Sequence, residues 1–305
     1  MNERTGFRIL PSFALKIIAI LFMTLDHVGL FLVAYSRNPD YADLNLPGYW
    51  MRCFGRIALP LFLLMLAEGM RHTHSKWKYI IRLGAVWTPI VLAQIIDRYG
   101  LGNQIGLSSF SNIFTDLCLG ALILALLQEK GLKKLFALLP VSYIGLCYGA
   151  TIFERYNDLT VAWLPEMVRP CYGVYGLLMV LGFYYSSDIV YLVAKGTIND
   201  MGISREEFEK GQGRGPINAL NGSFLFLINL AFWGLSLITV GKLNNRPWDD
   251  LMMSVQAWSI LAIPFMLMYN GKRGYDSKPF RIATYLYFVV HLIIIFAIFR
   301  VSFGY

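Results

Sequence analysis

Apolar stretches long enough to cross a lipid bilayer recur along the whole chain. A membrane-spanning helix needs roughly 20 consecutive apolar residues, and hydropathy predicts nine such helices. They cover residues 13–35, 54–70, 79–97, 112–128, 134–152, 172–195, 219–241, 252–270 and 282–303. The composition agrees, since 56% of the residues are hydrophobic and the mean hydropathy is +0.52. We therefore predict an all-α polytopic membrane protein, a single bundle of about nine transmembrane helices forming one integral-membrane domain, residues 1–305.

Lysine and arginine are distributed unequally between the two sides of this arrangement. Of the 27 basic residues, 18 fall on the side that holds the amino terminus and 9 on the other. Cytoplasmic loops are enriched in Lys and Arg, so we predict a cytoplasmic amino terminus. The longest hydrophilic stretch, residues 195–216, is then a cytoplasmic loop rather than a second domain.

The net charge of +8 does not indicate a nucleic-acid-binding protein. The basic residues lie between apolar runs, and no nucleic-acid motif is visible. The four cysteines lack CxxC or Cys/His spacing, so we predict no metal site.

The first apolar run contains an acid and an imidazole, Asp26 and His27, near its middle. Such groups are costly in hydrocarbon and more often line a site enclosed by protein or water. They point about 100° apart on a helix, whereas Thr24 and His27 share a face. We expect Asp26 to pair with Arg56 at a similar depth. The structural alternative is a packing network between the first two helices.

A second histidine, His291, lies near the centre of the last predicted helix, at a depth close to that of His27. Closure of a helical bundle would bring the first and last helices together. A neutral imidazole is the usual group for moving a proton in such a site. The alternative is that His291 is a hydrogen-bonding packing residue.

A dense basic set on the predicted cytoplasmic side is a candidate for binding the phosphates of a nucleotide-like ligand. It follows Glu68 and consists of Arg71, His72, Lys78, Arg82, Lys272 and Arg273. Gly271 and Gly274 would let backbone amides approach the phosphates. The positive-inside rule alone also predicts basic loops here, and composition by itself favours that explanation.

A polar group opens the fourth predicted helix on the outer side and contains Asn112, Thr115 and Asp116. An acid facing an outer vestibule would recognise an amine or sugar acceptor. Asp116 also lies in the first helical turn, where an acid stabilises the helix dipole, so capping is the competing role.

Seven blocks of the chain form an ordered pattern, at residues 15–29, 54–62, 68–73, 78–83, 112–115, 269–274 and 285–292. Together these blocks resemble the TraX family of conjugal-transfer membrane proteins. The blocks run from one end of the chain to the other. The chain departs from the usual family pattern at Val289 and Val290, where an aromatic residue and a proline normally precede the last histidine.

The resemblance implies a function. TraX proteins are associated with N-terminal acetylation of pilin, and are similar to integral-membrane acyltransferases that use cytoplasmic acetyl-CoA as acyl donor. The resemblance implies that His27 acts as general base or acyl relay and that the basic set binds the CoA phosphates. With Asp26 and His291, which the residue pattern itself indicates, His27 forms the predicted catalytic group. Donors to the thioester oxygen would be Thr24, Asn112 or His291. We accordingly expect a multi-pass protein of the bacterial inner membrane.

Two functional classes remain open on the sequence. The first is an acetyl-CoA-dependent N- or O-acyltransferase whose acceptor is a pilin, a surface glycan or a lipid. The second is a non-enzymatic membrane component, either a transporter or an assembly scaffold for a surface structure. A transporter would show paired broken helices or related halves, neither of which is clear in the sequence.

Overall fold

The computed structural model of the chain describes residues 7–102, 112–157, 159–240 and 250–303. Within these residues it contains twelve α-helices and no β-strand. The helices are α1 (Ser12–Tyr35), α2 (Asn45–Gly55), α3 (Ala58–His72), α4 (Lys76–Ile95), α5 (Ile113–Leu127), α6 (Leu138–Asn157), α7 (Gly173–Met201), α8 (Arg205–Lys210), α9 (Arg214–Thr239), α10 (Asp250–Ser254), α11 (Ile263–Leu267) and α12 (Lys278–Phe303).

Seven helical segments of the described chain are long and apolar enough to cross a membrane. They are Ser12–Tyr35, Pro39–His72, Lys76–Gly100, Gly131–Asn157, Glu166–Met201, Arg214–Thr239 and Lys278–Phe303. Two shorter apolar helices, Ile113–Leu127 and Gln256–Leu267, occupy the other two predicted positions. The predicted all-α polytopic membrane fold is therefore confirmed.

The second predicted membrane helix, residues 54–70, differs from the structure at its start. The helical segment begins much earlier, at Pro39, and is interrupted at Arg56 and Ile57, between α2 and α3. Pro60 explains the interruption, because it has no N–H to donate to the carbonyl of residue 56 and its ring crowds that carbonyl. The break places Arg56 at a helix end inside an apolar region.

The predicted helix at residues 252–270 is also discontinuous. It consists of the short helix α10, a 3-10 helix at Gln256–Ala262 and the five-residue helix α11. Pro264 lies in the first turn of α11, where its missing N–H is tolerated, and it prevents a regular α-helix through residue 260. The main-chain polar groups of this segment need partners inside the protein.

The described chain divides into two compact units. Unit 1 contains Met1–Met65, Gly182–Ile238 and Asp249–Tyr305, and unit 2 contains Leu66–Leu181 and Thr239–Trp248. Unit 1 therefore contains α1, α2, the first half of α3, most of α7 and the helices from α8 to α12.

Close packing of α1 on α2 in unit 1 depends on glycine. A Cβ atom at Gly29 would lie 2.6 Å from the carbonyl oxygen of Gly48, and one at Gly48 would lie 2.9 Å from Cβ of Leu32. A Cβ atom at Gly55 would overlap the main chain of Asp26. Small residues allow two membrane helices to approach closely. The three glycines thereby fix the position of α1 against α2.

The first and last helices pack against each other through an aromatic ladder. The ring of Phe299 lies 5.3 Å from that of Phe31 and 5.5 Å from that of Tyr35, centroid to centroid. Tyr35 also contacts Phe303, with ring centroids 5.0 Å apart. Aromatic pairs of this kind contribute about 0.5–1.5 kcal/mol each beyond burial. The ladder holds α1 beside α12 along one half of both helices.

Unit 2 is stabilised by a partly buried ion pair near the start of α7. Arg169 donates to both carboxylate oxygens of Glu154, at 2.5 and 2.7 Å, and to the carbonyl oxygen of Leu164. Glu154 also accepts a hydrogen bond from the main-chain N–H of Val161. These bonds tie the end of α6 to the irregular segment that precedes α7.

Candidate functional site

The structure brings together the two histidines that the sequence places near the middle of the first and last helices. His27 Nδ1 on α1 and His291 Nε2 on α12 lie 2.9 Å apart, within hydrogen-bonding distance. The two rings have a centroid distance of 5.0 Å and are tilted by 48°. His291 is 4% exposed, whereas His27 is partly exposed. Of the two residues, His27 is the more exposed.

A main-chain carbonyl holds the buried histidine from its other side. His291 Nδ1 lies 2.8 Å from the carbonyl oxygen of Tyr287, one helical turn earlier. The Tyr287 ring stacks on the imidazole at 5.2 Å with an interplanar angle of 3°, and Phe288 meets it edge-on at 5.7 Å. These contacts leave the His291 ring little rotational freedom.

Thr24 links α1 to α12 beside the histidines. Its hydroxyl lies 2.9 Å from the carbonyl oxygen of Ile20 and 2.8 Å from the hydroxyl of Tyr287. A carbonyl only accepts, so the Thr24 hydrogen goes to Ile20 and Tyr287 donates to Thr24. Tyr287 is a residue that the sequence analysis missed. Its position four residues before His291, on the same helix face, was the available signal.

Two of the three predicted donors to a thioester oxygen have their hydrogens engaged elsewhere. The Thr24 hydroxyl donates to Ile20, and His291 Nδ1–H donates to Tyr287. Asn112, the third, accepts from the main-chain N–H of Phe114 through its side-chain oxygen, as the N-cap of α5. The predicted oxyanion role therefore gains no support from the contacts of Thr24 or His291.

Asp26 contacts Arg56, as expected from their depth. Both carboxylate oxygens of Asp26 accept from the Arg56 guanidinium, and Arg52 Nε lies 3.8 Å from the same carboxylate. Arg56 is only 5% exposed and also donates to the side-chain oxygen of Gln256 at 3.3 Å. Sequence analysis missed Gln256 and Arg52. Arg52 could have been found from its position one turn before Arg56.

The ion pair occupies the points where two membrane segments are interrupted. Arg56 lies at the break between α2 and α3, and Gln256 begins the 3-10 helix of the other broken segment. A charged contact, in which one guanidinium nitrogen of Arg56 donates to both carboxylate oxygens of Asp26, supplies polar partners where the regular helical bonds stop. Arg56 therefore joins three elements of unit 1, because from the end of α2 it contacts Asp26 of α1 and Gln256 of the 3-10 helix. His27, the neighbour of Asp26, turns toward α12.

The basic residues predicted to bind a ligand fall in both units, with Arg71, His72, Lys78 and Arg82 in unit 2 and Lys272 and Arg273 in unit 1. In unit 2, His72, Lys78 and Arg82 are exposed and Arg71 is partly exposed. His72 lies 3.5 Å from the Glu68 carboxylate. Arg82 donates to the carbonyl oxygen of Lys78 at 3.1 Å, and its guanidinium lies 5.8 Å from the Tyr79 ring centroid.

In unit 1, Lys272 and Arg273 are exposed on the loop between α11 and α12. Arg273 pairs with Asp276 at 3.1 Å. The main-chain carbonyls of Lys272 and Arg273 accept from Ser12 and Phe13 at the start of α1.

The glycines of this loop serve its own fold. Gly271 and Gly274 have φ of +73° and +71°, which glycine adopts without strain. A Cβ at Gly274 would lie 2.9 Å from Cβ of Pro11. The expectation that they present backbone amides to a phosphate thus meets a competing structural reason for both.

The third predicted group caps helices. Asp116 is 7% exposed, and its carboxylate accepts three main-chain N–H groups at 2.7–3.1 Å, those of Cys171, Tyr172 and Gly173. Thr115 accepts from the indole N–H of Trp87 at 2.9 Å. The contacts favour the capping alternative over recognition of an acceptor, and the helix that Asp116 caps is α7 rather than its own.

Comparison with known proteins agrees with this architecture. The profile of the family described as TraX protein matches residues 12–194, more than half of the 305-residue chain. The chain belongs to the TraX family. The TraX match includes His27 and Arg56 and ends before α12, which carries His291.

One curated relative of this TraX-family chain comes from Dichelobacter nodosus. It is named "Probable fimbrial assembly protein FimC, serogroup H1" and is 36% identical over 189 residues, which cover 58% of this chain and 71% of the relative. No solved structure matches the chain significantly.

Proposed function

We propose that this TraX-family protein is an integral-membrane acyltransferase that moves an acetyl group from acetyl-CoA to an amine or hydroxyl. The observation that carries the proposal is the contact between His27 and His291 inside the membrane helices. A partly exposed imidazole, fixed by a buried second ring, suits a general base.

The reaction needs one proton acceptor near the thioester. The lone pair of the acceptor nitrogen or oxygen attacks the thioester carbonyl carbon, and its proton passes to Nε2 of His27. The tetrahedral intermediate then collapses, the C–S bond breaks, and the leaving thiolate takes the proton from His27 to give free CoA. Such general acid–base catalysis contributes typically about 10²–10⁴-fold to the rate.

The acyl donor would be held by the exposed basic side chains. In unit 2, Lys78 and Arg82 offer cationic donors suited to the phosphates of CoA. In unit 1, taken by itself, Lys272 and Arg273 offer donors of the same chemistry. The 18-to-9 distribution of Lys and Arg supports placing these groups on the cytoplasmic side, where acetyl-CoA is made, in a bacterial inner membrane.

The family and the relative support a pilin as the first acceptor to test. The relative is named a probable fimbrial assembly protein, and the N-terminal amine of a pilin is the nucleophile that we propose. A surface glycan or a lipid headgroup offers the same nucleophilic atoms.

A specific observation also favours a second function, a non-enzymatic role in pilus assembly, because the relative's name describes assembly and no chemistry.

Acetyl transfer separates the two functions. The purified full-length protein in lipid nanodiscs would be supplied with acetyl-CoA, and release of the CoA thiol measured with pilin peptides, glycans and lipids as acceptors. In parallel, mass spectrometry would compare pilins, glycans and lipids from cells with and without the protein. Thiol release and an acetyl group that depends on His27 support the acyltransferase. Equal acetylation in both cell types, without thiol release, would leave the assembly role.

The proposed orientation has its own test. Single cysteines placed at exposed Glu206, in the short helix α8 that follows α7, and at exposed Asp40, after α1, are predicted to react from opposite faces of the membrane. A membrane-impermeant maleimide applied to intact spheroplasts should label only the cysteine at position 40. Labelling of both from the same side would reject the nine-helix threading.

A further inference from the structure

We infer that His291 is a positioning residue that fixes the tautomer and direction of His27, so that Nε2 of His27 is the basic atom. The inference deepens the proposed function and rests on it for what the base does. It depends on one chain of hydrogen bonds in unit 1, which runs from the Tyr287 carbonyl through His291 to His27.

The carbonyl at the end of this chain sets the direction of every bond in it. A carbonyl oxygen only accepts, so Nδ1 of His291 carries a hydrogen and donates it to Tyr287 at 2.8 Å. While His291 is neutral, its Nε2 has a lone pair and no hydrogen. The 2.9 Å contact therefore requires Nδ1 of His27 to carry the hydrogen that it donates to His291.

The same reasoning identifies the reactive atom of the partly exposed residue, His27. A neutral imidazole has only one N–H. Since that hydrogen lies on Nδ1 of His27, its Nε2 is left as a proton acceptor. This is the less common tautomer of a free histidine side chain, so the protein has to impose it. In the absence of His291, Nε2 of His27 would mostly carry a hydrogen and be unable to accept one.

The different roles of the two histidines, His27 as base and His291 as positioning residue, agree with their exposure. His291 is 4% exposed and enclosed by the rings of Tyr287 and Phe288, so it is not placed to touch a substrate. His27 is partly exposed. A serine-protease triad uses a buried carboxylate to hold its histidine. Here a neutral imidazole with a carbonyl behind it holds the base without placing another charge between α1 and α12.

Thr24 and Tyr287 support this arrangement from the side. The Tyr287 hydroxyl donates to Thr24 at 2.8 Å and thereby ties the turn of α12 that supplies the carbonyl to the turn of α1 before His27. The stacked Tyr287 ring keeps the plane of His291 aligned with its own. Both are therefore positioning residues for His291.

The decisive measurement is the tautomer of His27 in the full-length protein. Only four histidines occur in the chain, so ¹⁵N-histidine NMR spectra in nanodiscs can be assigned by substituting them one at a time. At a pH where both rings are neutral, we expect the Nδ1–H form for His27 and for His291. An Nε2–H form of His27 in the unmutated protein would overturn the inference, and this result needs no variant to fold.

Two substitutions of His291 separate positioning from packing. In His291→Gln, the side-chain oxygen can accept from His27 Nδ1–H, whereas His291→Leu fills space and accepts nothing. We expect His291→Leu to lower kcat by about 10²-fold or more, as for loss of an oriented base, with KM for acetyl-CoA unchanged. His291→Gln should recover most of kcat and the Nδ1–H form of His27. His74→Leu, at an exposed position, is the matched control and should change neither quantity.

The outcomes distinguish this inference from the proposed function. If the protein transfers acetyl groups but His27 is in the Nε2–H form, the inference fails and the acyltransferase stands. If His27 is in the Nδ1–H form but no acceptor is acetylated, the orienting contact stands and the proposed function fails. Wild-type kcat in His291→Leu would overturn the positioning role.

Discussion

Gly55→Ala should disturb the site through a single added methyl group. A Cβ at position 55 would lie 2.6 Å from Cα of Asp26 and 2.8 Å from its main-chain nitrogen, where ordinary contact begins at 3.4 Å. Cβ of Asp26 would be closer still, at 2.3 Å, so the Asp26 backbone that carries this atom would have to move by about 1.1 Å, the difference between 3.4 and 2.3 Å. The obstructing atoms are Cβ, Cα and the main-chain nitrogen of Asp26 inside a packed helix pair, and side-chain rotation moves none of them.

The size of the effect follows from that displacement. Overpacking of this kind typically destabilises a protein by about 1–3 kcal/mol. His27 is the next residue along α1 and would move with Asp26, and a misplacement of about 1 Å can lower a rate by about 10²-fold. We therefore expect a lower unfolding temperature and a large loss of acetyl transfer, while acetyl-CoA binding is retained.

Gly234→Ala is the matched control. Gly234 lies within α9, also in unit 1, and a Cβ there meets nothing within 4 Å. Because alanine favours a helix over glycine by up to about 1 kcal/mol, this change should be neutral or stabilising. Thermal unfolding in detergent and CoA release would be measured for both variants. Equal stability and activity of Gly55→Ala and Gly234→Ala would refute the close-packing argument.

Three further predictions concern the remaining groups of the site. His27→Ala should abolish acetyl transfer but leave membrane insertion and acetyl-CoA binding intact. Fluorescence-detected chromatography would check insertion, and a binding titration would check acetyl-CoA binding. Acetyl transfer at the wild-type rate would show that His27 is not the base. Asp26→Ala should lower the free energy of unfolding by about 3–5 kcal/mol, more than His27→Ala does, because it leaves the buried Arg56 guanidinium without its carboxylate. Equal unfolding temperatures of the two variants would contradict this. Arg82→Gln and Arg273→Gln should each raise the Kd for acetyl-CoA about tenfold, for a lost charge-assisted hydrogen bond. An unchanged Kd in both variants would mean that these two arginines only set the orientation of the protein in the membrane.

Much of the fold is predictable because the bilayer imposes a simple length and composition rule. Every predicted apolar run falls on helical structure, including the shorter Ile113–Leu127. The positions where segments break were less visible, although Pro60 and Pro264 were present in the sequence. A proline shows where a regular helix is interrupted, but not whether neighbouring chain will supply partners for the freed polar groups.

The candidate site was predictable only for polar residues that are rare within the apolar helices, because their position along the helix then indicates which partners lie at the same depth in the membrane. An acid and an arginine at similar depth in adjacent helices have few other partners, so the pairing of Asp26 with Arg56 followed from the sequence. The contacts of Asp116 did not, because its three N–H donors lie 55–57 residues away along the chain. The role of Tyr287 depends on its carbonyl and ring orientation, neither of which residue type reveals.

The adjacent residues Asp26 and His27 have different tasks because successive side chains diverge by about 100° on a helix. Asp26 turns toward α2, where the Arg56 guanidinium balances its charge. His27 turns toward α12, where it meets a neutral ring rather than a carboxylate. A carboxylate in the place of His291 would bring a second buried anion between these helices, and burying a charge is expensive unless it is paired. A histidine pair orients the base while adding no net charge, which is why an imidazole suits this position in a membrane.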